Sequence, residues 1–228
     1  MRRIIKNLLL GLVAILAVIN YTEVFTQETE EDRFPGMPKY VGDLNIRGNV
    51  KNATQAFDLL LAWKYKKKDS VVSTSFLKEK GKPDDTYAPW RANDKNKNTA
   101  WAEGAKGDGI GEKIYIEAWT VNVKRFKPLT INFNIINGCA ASDKLFKSNN
   151  RVKRAKLTIY EAGYNVGQLL DRRETDLLIN NHKIINLPDT SAAQNIQMEI
   201  SAIKSKKIYE NDKYHSYLFM AELEILEV

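Results

Sequence analysis

Three stretches of this chain alternate apolar and polar side chains: Leu129, Ile131, Phe133 and Ile135; Ala155, Leu157 and Ile159; and Phe219, Ala221, Leu223 and Ile225. A period of two puts every apolar group on one face of an extended strand, so each stretch requires a sheet with one face against a core. Strands are expected at Val71–Leu77, Lys113–Ala118, Leu129–Ile136, Val152–Tyr160, Val166–Leu170, Lys183–Ile185, Ile196–Lys204 and Tyr217–Leu226. Ala162-Gly163 reads as a hairpin and Ser148-Asn149-Asn150 as a turn. Eight such strands in mixed order predict an all-β jelly-roll sandwich, and 228 residues suffice for one sizeable core.

The densest run of signals lies between Trp90 and Glu117, where polar loop, tryptophan, glycine turns and strand follow without a break. Four glycines (Gly104, Gly107, Gly109, Gly111) fall within eight residues, which calls for positive φ or close backbone approach. A phosphate cradle fits poorly. Nucleotide loops follow a strand and open a helix, whereas Gly107-Asp108-Gly109-Ile110-Gly111 ends in Glu112 and leads into a strand.

Several stretches together resemble the discoidin-like (coagulation factor type C, galactose-binding-like) domain of the NAD glycohydrolase translocation family, also described as an NADase-type glycan-binding domain. They are Val71–Leu77, Tyr87-Ala88-Pro89, Asp94, Thr99–Gly104, Gly107–Glu112, Ile136-Asn137-Gly138, Asn149–Lys153 and Ala221-Glu222. The resemblance spans residues 70–228 and implies a discoidin-like sandwich there. It also implies one structural calcium ion, with Asp94, Thr99 and Glu222 as oxygen donors, because a hard cation takes six to eight oxygens. Lys95 departs from the pattern, since relatives often carry glycine after that aspartate.

The chain opens with Arg2, Arg3 and Lys6, then runs apolar for 12 residues from Leu8 to Ile19. That suits a signal peptide and is shorter than the roughly 18 to 20 residues needed to cross a bilayer. Residues 1–26 are therefore read as a signal peptide cleaved after Thr26 or, when uncleaved, as an N-terminal anchor, the only membrane contact expected. An extracytoplasmic location, secreted or in the cell envelope, follows. Cys139 is the only cysteine, so no internal disulfide exists and the fold rests on packing. Without residues 1–26 the net charge is +5, with basic concentrations at Lys64–Lys68, Lys78–Lys82 and Lys144–Arg154. These favour anionic surfaces or polysaccharides, or are simply solvated surface. No nucleic-acid-binding motif appears.

Residues 27–69 read as a linker followed by a helix. Gln27–Arg33 is acidic and Pro35, Gly36 and Pro38 break structure, whereas Ala56, Leu59, Leu60 and Trp63 recur at helical spacing over residues 53–66, behind Asn52 as N-cap. Packing of this helix on its own domain is the default expectation.

Groups able to do chemistry are few. Glu103, Asp108 and Glu112 sit on one loop, whereas glycosidase carboxylates are held on separate supports flanking the sugar. Neither Ser-His-Asp order, histidine-rich metal spacing nor P-loop occurs. A non-catalytic module is expected, binding a glycan through Trp90, Arg91, Glu103, Asp108, Glu112, Asn137, Asn150 and Arg151. Trp90, beside Pro89, is either a sugar platform or a packed aromatic, and Trp101 is assigned to the core. The alternative is an envelope protein that binds a protein partner and has no glycan pocket.

Overall fold

The computed structural model describes residues 14–20, 49–64, 71–122, 128–165, 177–202, 204 and 215–228. The cleavage position after Thr26, the linker at 27–42, the strand expected at Val166–Leu170 and the end of the helix beyond Lys64 lie outside them.

Among the described residues nine strands form two antiparallel sheets. The strands are β1 (Ala14–Asn20), β2 (Val71–Ser73), β3 (Trp101–Ala102), β4 (Lys113–Asn122), β5 (Leu129–Asn137), β6 (Arg154–Asn165), β7 (Leu178–Asn186), β8 (Gln194–Ile200) and β9 (His215–Glu227). One sheet has the order β3-β1-β5-β8 and the other β2-β4-β9-β6-β7. The fold is the expected discoidin-like sandwich. One clear difference is at the N terminus, where part of the apolar run forms a strand between β3 and β5.

The alternating stretches face each other as predicted. Ile131, Phe133 and Ile135 of β5 meet Ala155, Leu157 and Ile159 of β6 and Phe219, Ala221, Leu223 and Ile225 of β9 in one core. Trp101 is fully buried among them, and its indole N–H donates to the Ser75 carbonyl at 2.9 Å. That bond removes the one polar cost of placing tryptophan there.

The opposite face of the five-stranded sheet is covered by α1 (Ala53–Lys64). Its start is a capping box, in which Asn52 Oδ1 accepts from the Gln55 N–H and Gln55 Oε1 accepts from the Lys51 N–H. Ala56, Leu59 and Leu60 pack on Val72, Tyr115 and Met220, so the helix docks on its own domain.

Two local expectations change. At Ala162-Gly163 no hairpin forms, because β6 runs on to Asn165 with Ala162 opposite Leu218 and Gly163 opposite Tyr217. Continuing the ladder against β9 outweighs the roughly 0.5 to 1 kcal/mol that glycine costs inside a strand. Before Asn149, a short helix α2 (Asp143–Ser148) precedes the turn, its first N–H groups capped by the Ser142 hydroxyl. The buried Phe146 ties α2 to the sandwich.

Trp101→Ala should lower unfolding free energy by about 3 to 5 kcal/mol in urea titration, through the cavity and the stranded Ser75 carbonyl. A loss under about 1 kcal/mol would mean that the indole does not fill the core.

Candidate functional site

The ends of several strands meet at one end of the sandwich around an open cleft of about 400 Å³. The loop before β4 contributes Asp108, the end of β5 contributes Asn137, and the segment from α2 to β6 contributes Lys147 to Lys153. Leu187 and Asp189 follow β7, and Val228 follows β9.

Arg151 is the braced centre of these walls. Its Nη1 donates to the carbonyls of Phe146 at 2.5 Å and Asn149 at 2.8 Å, its Nε lies 2.5 Å from Asp189 Oδ1, and its guanidinium stacks 4.6 Å from the Phe146 ring centre. Gly138, at φ 112°, makes room for it, because a Cβ there would come within 3.0 Å of Arg151 Cγ. Asn137 is almost fully buried. Its amide donates to the Val152 carbonyl at 2.8 Å while its Oδ1 accepts from the Val152 N–H at 3.1 Å, an imitation of a strand rung that fixes the cleft floor. Lys147 and Asn150 leave their polar ends uncommitted, and so does Asp108, each without a side-chain hydrogen bond or ion pair among the described residues.

Four of the eight predicted glycan-binding residues, Asp108, Asn137, Asn150 and Arg151, therefore share one cleft. The other four do not line it. Glu112 Oε2 accepts from the hydroxyls of Thr74 and Ser75, at 2.6 and 2.5 Å, and so ties the loop to β2. Trp90 and Arg91 lie in a 3-10 turn, Pro89–Ala92, with Trp90 half-buried and Arg91 facing Asp85 and Asp94 at 3.6 Å each. Glu103 is 1 % exposed and lies under Gly109, whose Cα has no room for a side chain: a Cβ would meet the Glu103 carboxyl carbon at 2.7 Å.

Burial pushes the Glu103 carboxyl up to about 7, opposed by the Ala105 N–H that donates to Oε2 and reinforced by the charges of Glu112 and Asp108. Its Oε1 has no partner. A raised folded pKa means that the group's contribution to stability is complete below about 4.5 and is lost as pH rises through about 7.

Each acid of the expected calcium set, Asp94 and Glu222, has partners within the protein. Asp94 Oδ1 accepts from the Asn96 N–H at 2.9 Å and Oδ2 from the Thr99 hydroxyl at 2.7 Å, with the Arg91 guanidinium 3.6 Å away. That carboxylate is engaged within its own turn. Glu222, 1 % exposed, accepts from the Tyr160 hydroxyl at 3.0 Å and lies 3.4 Å from the Lys113 ammonium. Burial, with the Glu222 charge beside them, raises the hydroxyl pKa of both Tyr115 and Tyr160. Among the described residues no group of three or more His, Cys, Asp or Glu is placed to hold a metal ion. With these bonds Asp94 serves as an Asx cap of its turn.

Lys95 has φ 61°, the only non-glycine residue described with positive φ. Its position explains why glycine suits the pattern there. The lysines at 78–82 are surface groups in local pairs: Lys82 lies 2.9 Å from Glu79 and 2.7 Å from the Tyr87 hydroxyl, and Lys78 lies 3.4 Å from Asp84.

Two outcomes are expected. Wild-type unfolding free energy should fall by about 1 to 3 kcal/mol between pH 5 and pH 8 relative to Glu103→Gln, in which this titration is removed. Equal pH profiles for the two proteins would contradict the buried carboxyl. Lys95→Gly should stabilise by about 0.5 to 1 kcal/mol through relief of left-handed strain; a destabilised variant would show that the lysine side chain holds the turn.

Comparison with known proteins supplies the remaining evidence. Searches of curated proteins and of solved structures gave no match. A family model, NAD glycohydrolase translocation F5/8 type C domain, matches residues 64–222, which contain every strand from β2 to β8, most of β9 and both cleft-forming loops. With more than half of its length matched, the chain belongs to the NAD glycohydrolase translocation F5/8 type C domain family.

Proposed function

We propose that this chain is an extracytoplasmic, non-catalytic carbohydrate-binding module, secreted or held in the cell envelope, and that it takes a glycan into the cleft around Arg151. The observation that carries this reading is the character of the cleft walls. They combine a braced guanidinium and carboxylate, Arg151 and Asp189, with the uncommitted polar ends of Asn150, Lys147 and Asp108. Such walls offer donors and acceptors to a polyhydroxylated ligand and little to an apolar one. Its positive and negative groups nearly balance, which favours neutral sugars over polyanions. The carboxylates favour binding over hydrolysis: Glu103 is buried, Glu112 is bound to two hydroxyls, and of the two that line the cleft Asp189 is held by Arg151, which leaves Asp108 without a second free carboxylate.

A second reading is a role in translocation or partner binding, in keeping with the family's description. Its specific support is β7, an edge strand of its sheet, where Ile179 is 46 % and Ile184 60 % exposed.

The test is a glycan array probed with the full chain, followed by variants. Lys147→Ala and Asn150→Ala should each weaken binding to the best array ligand about tenfold with unchanged melting, and Arg151→Ala should lower both affinity and melting temperature. Trp90→Ala should leave affinity intact. If Trp90→Ala alone abolishes binding, the site belongs at the 3-10 turn. Silence of the whole array, with a protein partner recovered through β7, would sink the glycan reading.

A further inference from the structure

The four-stranded sheet is joined across its middle by a segment from the far end of the chain. β1 pairs antiparallel with β5 over six positions, from Ile15 opposite Asn137 to Asn20 opposite Asn132. On its other side it pairs with β3, Ala14 opposite Ala102 and Ile15 opposite Trp101. β3 has no other partner strand in that sheet. Without β1, β3 and β5 would border a gap one strand wide, about 10 Å across at two inter-strand spacings. Its β5 side would bare unpaired backbone groups beside the core residues Phe133 and Ile135, each now 1 % exposed.

We infer that the gap between β3 and β5 is a strand-acceptor site, and that its ligand is the chain's own apolar segment, residues 14–20. The sequence of that segment, Ala-Ile-Leu-Ala-Val-Ile-Asn, suits the slot: it is apolar, rich in β-branched residues and free of proline and charge. Backbone groups of β5 bind it over six positions and those of β3 at Ala14 and Ile15, as in β-strand addition to an open sheet edge. The same residues include the second half of the apolar run that reads as an export signal or anchor. A strand held in the sheet is withdrawn from the bilayer, so the two uses exclude each other in time. A cut anywhere in residues 21–48 would leave the segment bound without a covalent link.

Hydrogen exchange of the intact full chain tests this directly. Amides of residues 14–20 should be protected at least about 100-fold over an unstructured chain, as should those of 132–137. Unprotected exchange at 14–20, with β5 and β8 protected, overturns the inference. Register is checked by disulfide capture in a Cys139→Ser background. Leu16→Cys with Ile136→Cys should close as a monomer, and Leu16→Cys with Asn132→Cys, four residues out of register, should stay open. Asn134→Cys with Asn195→Cys, opposed across β5 and β8, reports that the sandwich has formed. A crosslinked dimer from the first pair would give the slot to a second copy and overturn the assignment to the chain's own segment.

Discussion

The five-stranded sheet is apolar on both faces over part of its area, and that constraint governs the rest of the molecule. Residues of one parity in β9, Phe219, Ala221, Leu223 and Ile225, need the second sheet; Met220, on the other face with Tyr115 and Val72, needs a separate cover. At about 1.5 to 3 kcal/mol for each large apolar side chain removed from water, neither face can stand exposed. The sandwich supplies one cover and α1 the other. The helix is therefore part of the domain's stability, although the family match reaches only its last residue. Farther along the same outer face, Glu222 and Tyr160 turn the cover polar, with Lys113 at the margin.

The loop that carries Glu103 to Glu112 is held by contacts of a different kind. Its end is stitched to β9 through the Gly111 N–H to the Ile225 carbonyl at 2.8 Å and the Ile225 N–H to the Glu112 carbonyl at 3.0 Å, and Glu112 is hydrogen-bonded to Thr74 and Ser75, just past β2. Between these ties the buried Glu103 supports Gly109 from below. The glycine-rich run is a scaffold for the cleft margin, and Asp108 is the one member of its acidic trio that faces the cleft.

What the sequence revealed follows from where a side chain's surroundings are local. Period-two runs announced β5, β6 and β9, and the spacing of Ala56, Leu59 and Leu60 behind Asn52 announced α1, because those patterns fix a face whatever the neighbours are. Trp101 was legible as core from its place between Thr99-Ala100 and the glycine turns and from the family resemblance, and it is fully buried. Only three of the nine residues of β7 are legible in the sequence, since Asn180, Asn181 and His182 break the alternation; its backbone ladder with β6 sets its place, and Asn180 and Asn181 add side-chain bonds to the Ala202 and Glu199 carbonyls. At six residues, α2 is too short to show a period, and only Ser142 before Asp143 signals its start. For the site, the types and loops were legible but the roles were not. Asn137 and Arg151 spend most of their polar groups on the backbone, and Glu222 faces tyrosines, arrangements set by strands fifteen or more positions away in the chain or by turns that no single-residue signal encodes.

β9 lies between β4 and β6 and follows both in the chain. During synthesis, therefore, β4 and β6 emerge with no strand between them, and the larger sheet cannot close until residues 215–227 have left the ribosome. Pairings this distant in sequence form slowly, because the loop must be ordered before any contact rewards it. Until then the larger sheet exists as two halves, β2 with β4 and β6 with β7, each with one edge waiting for the last strand of the chain.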